Sequence, residues 1–128
     1  MDDKLFRHGR FSWNELMTTD VQGAKAFYAK LFGWQYETFP MEGMNYEVIR
    51  SGGEEMGGIL PMPPQAGEHP PAWGIYVTVD DVDAAAKRAE ELGGTIHVPP
   101  TDIPEVGRFA VLQDPQGAYV SIITYVKK

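Results

Sequence analysis

Three histidines, His8, His69 and His97, are the side chains of this 128-residue chain best suited to hold a metal or move a proton near neutral pH. Their spacing speaks against joint work, since no two are separated by the two or four positions that set imidazoles side by side on a strand or helix. A surface role is expected for each. The chain has no cysteine, which excludes disulfides, thiolate nucleophiles and thiolate-ligated zinc or iron–sulfur centres. Gly52-Gly53 and Gly57-Gly58 lack the following Gly-Lys-Ser/Thr and helix start of a phosphate loop and read as hairpin turns. No Gly-x-Ser-x-Gly elbow is present. The run Asp80, Asp81, Asp83 suits a helix N-terminus, where carboxylates meet the positive end of the dipole. It would bind calcium only if further oxygens converged there.

The elements that must position any site are written twice. Asp20-Val21 through Leu31-Phe32-Gly33 lines up with Asp81-Val82 through Leu92-Gly93-Gly94 at an offset of 61 residues. Fixed-offset self-similarity of two copies points to a pseudo-symmetric domain with a pocket or groove where the halves meet. In the first copy Phe11 to Met17 reads as a strand and Asp20 as the N-cap of a helix. Val21, Ala24, Phe27, Tyr28 and Leu31 form one apolar stripe, and Gly33 stops the helix. Strands over 34–39, 46–51 and 56–62 follow. Pro61, Pro63, Pro64, Pro70 and Pro71 make 61–72 a linker. The second copy predicts a strand over 73–79, then a helix capped by Asp80 or Asp81 with Val82, Ala85, Ala89 and Leu92 inward. Strands over 95–98, 108–113 and 118–126 follow, with a loop at Pro99, Pro100 and Pro104 and a type I turn at Asp114-Pro115-Gln116-Gly117.

Each half is thus a βαβββ module. One domain over 1–128 is expected, with a lead-in at 1–9, a first module at 10–62, a linker at 63–72 and a second module at 73–126. The net charge of −7, with no cluster of Lys or Arg, speaks against nucleic acid as a partner. No apolar run approaches the ~20 residues of a membrane helix, and Met1-Asp2-Asp3-Lys4 lacks a signal-peptide start. No membrane partner and a cytoplasmic location are the expectations.

This tandem resembles the vicinal oxygen chelate superfamily, which includes glyoxalase I, bleomycin-resistance proteins and extradiol dioxygenases. The residues that carry the resemblance are Glu15-Leu16-Met17-Thr18-Thr19-Asp20, Ala26-Phe27-Tyr28, Leu31-Phe32-Gly33-Trp34, Val79-Asp80-Asp81-Val82 and Gln113-Asp114-Pro115-Gln116-Gly117. It covers about residues 10–126 and implies an α+β fold: two βαβββ modules in a curved, partly open, eight-stranded barrel with the helices outside. It also implies a homodimer. Metal-dependent members place four ligands in a cup between the modules. Counting from the shared motifs, those positions fall here on Trp13, Gly74, Ser121 and Leu60, or on Gly58 or Ile59 if the loop shifts the register. Indole, glycine and alkyl groups offer a divalent ion no electron pair, and one serine hydroxyl is a poor ligand where about three are needed. The resemblance therefore implies a member without the family's metal. No cofactor is expected.

If Trp13 faces the cup, period-two alternation brings Glu15 and Met17 with it. Tyr76 and Thr78 follow Gly74 inward, and Tyr119, Ser121 and Ile123 come from the last strand. The expected ligand-binding set is Trp13, Glu15, Tyr76, Thr78, Tyr119 and Ser121, around a small apolar or aromatic molecule. Glu15 is the one acidic group on that face and the candidate base, since desolvation favours its protonated form. Three readings stand side by side: a metal-free small-molecule binder, a glyoxalase-like lyase, isomerase or dioxygenase with an off-pattern metal or Glu15 as base, and a structural protein whose cup is filled by its own rings.

Overall fold

The computed structural model describes residues 6–41, 43–62 and 70–126. His69 and the linker prolines Pro63 and Pro64 lie outside them. The chain order is β1 (Phe11–Thr18), α1 (Val21–Phe32), β2 (Gln35–Met41), β3 (Met44–Ser51), β4 (Glu54–Pro61), β5 (Ala72–Thr78), α2 (Val82–Glu91), β6 (Thr95–Ile103), β7 (Gly107–Gln113) and β8 (Tyr119–Tyr125). The expected α+β class with two βαβββ modules is the one observed. Two compact units result: Asn14–Gly74, and Met1–Trp13 with Ile75–Lys128.

In the first, strands run β2-β3-β4-β1, with β1 parallel to β4 and the other neighbours antiparallel. Leu16, Ile49 and Ile59 point to one side of this sheet, where Val21, Ala24 and Tyr28 of α1 cover them. In the second, the order β6-β7-β8-β5 repeats the same design, again with one parallel pair, β5 with β8. Its core of Val79, Ala110 and Ile122 lies under Val82 and Ala86 of α2. In neither order do the strands close on themselves, and β2 and β6 are edges.

Both helices begin as the sequence predicts. Oδ1 of Asp20 accepts from the Gly23 amide at 2.9 Å and Oδ1 of Asp81 from the Ala84 amide at 3.1 Å, each satisfying one exposed donor of a first turn. Gly33 ends α1 with φ of 77°, a conformation that costs glycine least. No described helix is long and apolar enough to cross a membrane.

Gly57 and Gly58, read above as a hairpin turn, lie inside β4, and two further expectations need correction. The five-residue stripe of α1 splits: Val21, Ala24 and Tyr28 pack inward, but Phe27 and Leu31 stand 59% and 58% exposed. Residues 27 and 31 lie one turn apart on a face rotated away from 21, 24 and 28, so helical spacing alone could not tell two stripes from one wide one. On α2, Ala86 is buried while Leu92 is exposed. Second, β6 does not end at Val98 but runs through Pro99 and Pro100 to Ile103. An edge strand has no partner on one side to miss the proline amides, and its register against β7 shifts at this stretch.

Candidate functional site

Glu15 is buried on β1, directly opposite Gly58 of β4. Because Leu16 and Ile59 turn toward α1, alternation sends Glu15, Met17, Gly58 and Leu60 to the other face of the sheet. Gly58 also pairs with Val48 of β3, so Tyr46 shares that face. Its phenol lies over Gly58, where any Cβ would collide with the ring and hydroxyl, and its hydroxyl donates to Oε2 of Glu15 at 2.8 Å. A carboxylate and a phenol are thus fixed together against a strand that has no side chain at that point. The sequence reading placed Glu15 on this face and missed Tyr46. The available signal was the alternation Tyr46, Val48 against Glu47, Ile49, which becomes decisive only with the β3–β4 register in hand.

In the other unit, Tyr76 of β5 stands opposite Ser121 of β8, and Thr78 opposite Ile123. Ile122 belongs to the core under α2, so Tyr76, Thr78, Ser121 and Ile123 occupy the face away from that helix. Tyr76 and Thr78 are buried, and Ser121 is half-buried. Tyr119, at the start of β8, is 49% exposed, with its ring 4.9 Å from that of His97. Four of the six predicted binding residues therefore come together on two neighbouring strands.

The parallel pairs differ in register by two residues. Glu15 and Tyr76 are mates at the 61-residue offset, yet Glu15 faces Gly58 while Tyr76 faces Ser121. This makes Gly58, rather than Leu60, the counterpart of Ser121, as the shifted alternative has it. Leu60 lies opposite Met17. Trp13 is half-buried on β1, and Gly74 on β5 has only the Glu15 carbonyl oxygen near the place of a Cβ, at 3.9 Å. Across the positions that the resemblance assigns to metal ligands, one hydroxyl is the whole donor set, which does not fit a divalent ion. Among the described residues no three His, Asp or Glu group so as to hold a metal.

The described histidines do other work. Nδ1 of His8 accepts from the Asp80 amide at 3.0 Å, and Nε2 of His97 lies 2.8 Å from Oε1 of Gln113. A pocket of 470 Å³ beside the start of α2 is lined by Asp80, Asp81, Glu105 and Tyr125 among others, and by Arg108, which pairs with Asp83 at 2.8 Å and Asp102 at 2.9 Å. It contains none of the predicted binding residues. The second buried carboxylate, Glu47, faces α1: Lys25 Nζ lies 3.0 Å from its Oε1 and Thr38 Oγ1 donates to the same oxygen at 2.7 Å.

A pair of βαβββ modules, each pairing its first strand in parallel with its last, defines a glyoxalase-like α+β protein. The chain belongs to the Glyoxalase/Bleomycin resistance protein/Dioxygenase superfamily, whose family model matches residues 10–122. It is 42% identical over 120 residues to CFP32 of Mycobacterium tuberculosis, which carries the provisional name glyoxylase; the match covers 91% of this chain and 46% of that one. It is 32% identical to the anthracycline biosynthesis protein DnrV of Streptomyces peucetius, over 91% of this chain and 47% of that one. The chain spans about half the length of the curated relatives it matches. Among solved structures, hypothetical protein BH1468 from Bacillus halodurans superposes with a TM-score of 0.71 at 12% identity, covering 95% of this chain and 98% of that one. A Streptomyces coelicolor methylmalonyl-CoA epimerase variant bound to 2-nitronate-propionyl-CoA gives 0.68 at 18% identity, covering 94% and 96%. At such identities the structural likeness establishes the fold alone.

Proposed function

We propose that this chain binds a small apolar or aromatic molecule in the cup that the family resemblance implies, without the family's usual metal. The observation that supports it most is the Glu15–Tyr46 pair, a buried carboxylate and a half-buried phenol on the sheet face that α1 leaves unused. Removing a carboxylate from water is costly unless polar groups meet it, and here the Tyr46 hydroxyl does so on the face turned away from α1. A few placed polar groups among apolar ones are what a small-molecule site requires. In this reading Trp13, Tyr76 and Tyr119 supply ring surface, while Glu15, Thr78 and Ser121 orient the ligand. A homodimer belongs to the same proposal.

A second reading has its own support. Glu15 is a buried carboxylate on the sheet face turned away from α1, with a phenol donating to it. Glu15 is then the group to accept a proton from carbon next to a carbonyl, in a lyase or isomerase.

The test is a thermal-shift screen of chelator-treated protein against neutral and cationic aromatic compounds. Hits are then titrated by calorimetry into wild type, Glu15→Gln and Trp13→Ala. Binding without metal raises Tm in proportion to occupancy of the native state, and each variant weakens it by about tenfold or more. Stoichiometric zinc, nickel, manganese or iron(II), with hits that bind only in its presence, overturns the first reading. Solvent deuterium exchange into a bound carbonyl compound, abolished by Glu15→Gln, decides for the second.

A further inference from the structure

Glu15 shares its face of the sheet with rings and apolar chains of the same unit. Tyr46 lies opposite Phe39 of β2, and Met17 opposite Leu60 of β4, so all four stand on the side of the carboxylate. Phe39 keeps 41% of its surface exposed there. Glu37, Arg50 and Glu55 also reach this face and pair among themselves, with Nη2 of Arg50 2.6 Å from Oε1 of Glu37 and 3.1 Å from Oε2 of Glu55. The Tyr46 ring runs across β4 where Gly58 has no side chain, and its hydroxyl donates to Oε2 of Glu15 at 2.8 Å. A glutamate side chain turns about several bonds and loses much freedom when it is held. A ring packed on a glycine offers it a fixed donor, the kind of support that keeps a binding group in one geometry. A donated hydroxyl also favours the charged carboxylate, which burial opposes.

We propose that Tyr46 is a positioning residue of the ligand site: it fixes Glu15 as an ionised acceptor, so the site takes aromatic molecules that carry a hydroxyl or amino donor. This rests on the ligand-binding function proposed above and names its ligand class. An ionised carboxylate accepts hydrogen bonds and donates none, and it has room for about four, so the phenol and a ligand share it. A ligand donor that meets Glu15 regains the hydrogen bond it gave up in water. An analogue of the same shape with only an ether oxygen at that point sets acceptor against acceptor and leaves a desolvated oxygen unsatisfied. Sites that hydrogen-bond a ligand hydroxyl discriminate strongly for this reason. Phe39, Met17 and Leu60 supply apolar surface for the ring system beside the polar pair.

The experiment titrates matched probes, naphthol with its methyl ether and naphthylamine with methylnaphthalene, into wild type, Tyr46→Phe and Glu15→Gln by calorimetry. In parallel, magnetic resonance of isotope-labelled glutamate carboxyls follows the titration of Glu15, whose signal is the one missing in Glu15→Gln. Wild type should bind each donor about tenfold or more tightly than its partner. Tyr46→Phe should cut that preference to about threefold or less with the ether bound nearly as before, a split that general loosening of the fold does not produce. It should also move the Glu15 titration upward by about one pH unit or more. Wild type that binds naphthol and its ether alike overturns the ligand class. A Glu15 titration unmoved in Tyr46→Phe overturns the positioning role, whatever binds. A titration that moves while no probe and no screening hit binds is the failure of the ligand-binding function itself, and the ligand class falls with it.

Discussion

The Tyr46 hydroxyl reaches Oε2 of Glu15 at 2.8 Å across 31 residues of sequence, and Gly58 makes the contact possible. Parallel pairing of β1 with β4 sets Glu15 opposite Gly58, antiparallel pairing of β3 with β4 brings Tyr46 alongside, and the missing Cβ lets the phenol lie across the strand. Three strands and one glycine thus fix a polar pair on the face turned away from α1.

Tyr46→Phe removes the donor and keeps the ring. A hydrogen bond to a charged group contributes about 1.5–3 kcal/mol, so we expect a loss of about 2 kcal/mol in urea unfolding, with an unchanged denaturant slope. Equal stability of variant and wild type would mean that the hydroxyl does nothing for the buried carboxylate.

Gly58→Ala should cost about 1–3 kcal/mol, because the added methyl must displace a packed aromatic ring. In a Tyr46→Ala background the obstruction is gone and most of that cost should vanish. The pair then shows a coupling of at least about 1 kcal/mol in a double-mutant cycle. Additive effects would show that the phenol does not occupy the space over Gly58.

Beneath α1, Glu47 is 3% exposed and takes both Lys25 and Thr38 on one oxygen. Lys25→Met strands that carboxylate, and stability should fall by about 2 kcal/mol, below the usual 3–5 for a fully buried pair because Lys25 keeps some contact with water. The joint change Lys25→Met/Glu47→Leu should recover most of the loss. If the double variant is as unstable as the single, the pair is not what Lys25 contributes.

Much of this architecture was legible in the sequence because its signals are local. The caps Asp20 and Asp81, the stop at Gly33 and the turn at Asp114 each act within a few residues of themselves, and each stands where the pattern puts it. The face of Glu15 followed from alternation along a single strand only once the family resemblance had set the direction of Trp13. Tyr46 was not, because its meeting with Glu15 depends on two strand registers, one of them carrying a shift at Ile49/Arg50. The outward turn of Phe27 was hidden for a related reason. An apolar residue at helical spacing signals burial against something, and within one chain the something is assumed to be the sheet.

Asp83 and Arg108 give the fold a measurable acid limb. Nε and Nη2 of Arg108 donate to the two oxygens of Asp83 at 2.8 and 3.0 Å, while Nη1 donates to Asp102 at 2.9 Å. Hydrogen bonding from Arg108, aided by its charge, holds the Asp83 carboxyl below its ordinary value of 3.8. A carboxyl depressed in the folded state binds fewer protons there than in the unfolded chain. Its stabilising contribution is therefore complete above about pH 4 and is lost as pH falls through the lower folded value. Asp83→Asn should lower Tm above pH 4 and leave it nearly equal to wild type at the acid end, so that the two curves converge on acidification. The residue is solvent-exposed, so the gap should be small and should narrow in high salt. Parallel curves from pH 6 down to pH 2.5 would show that the bidentate pair of the folded protein carries no net stabilisation, since only a difference in proton binding between the two states can bend one curve toward the other.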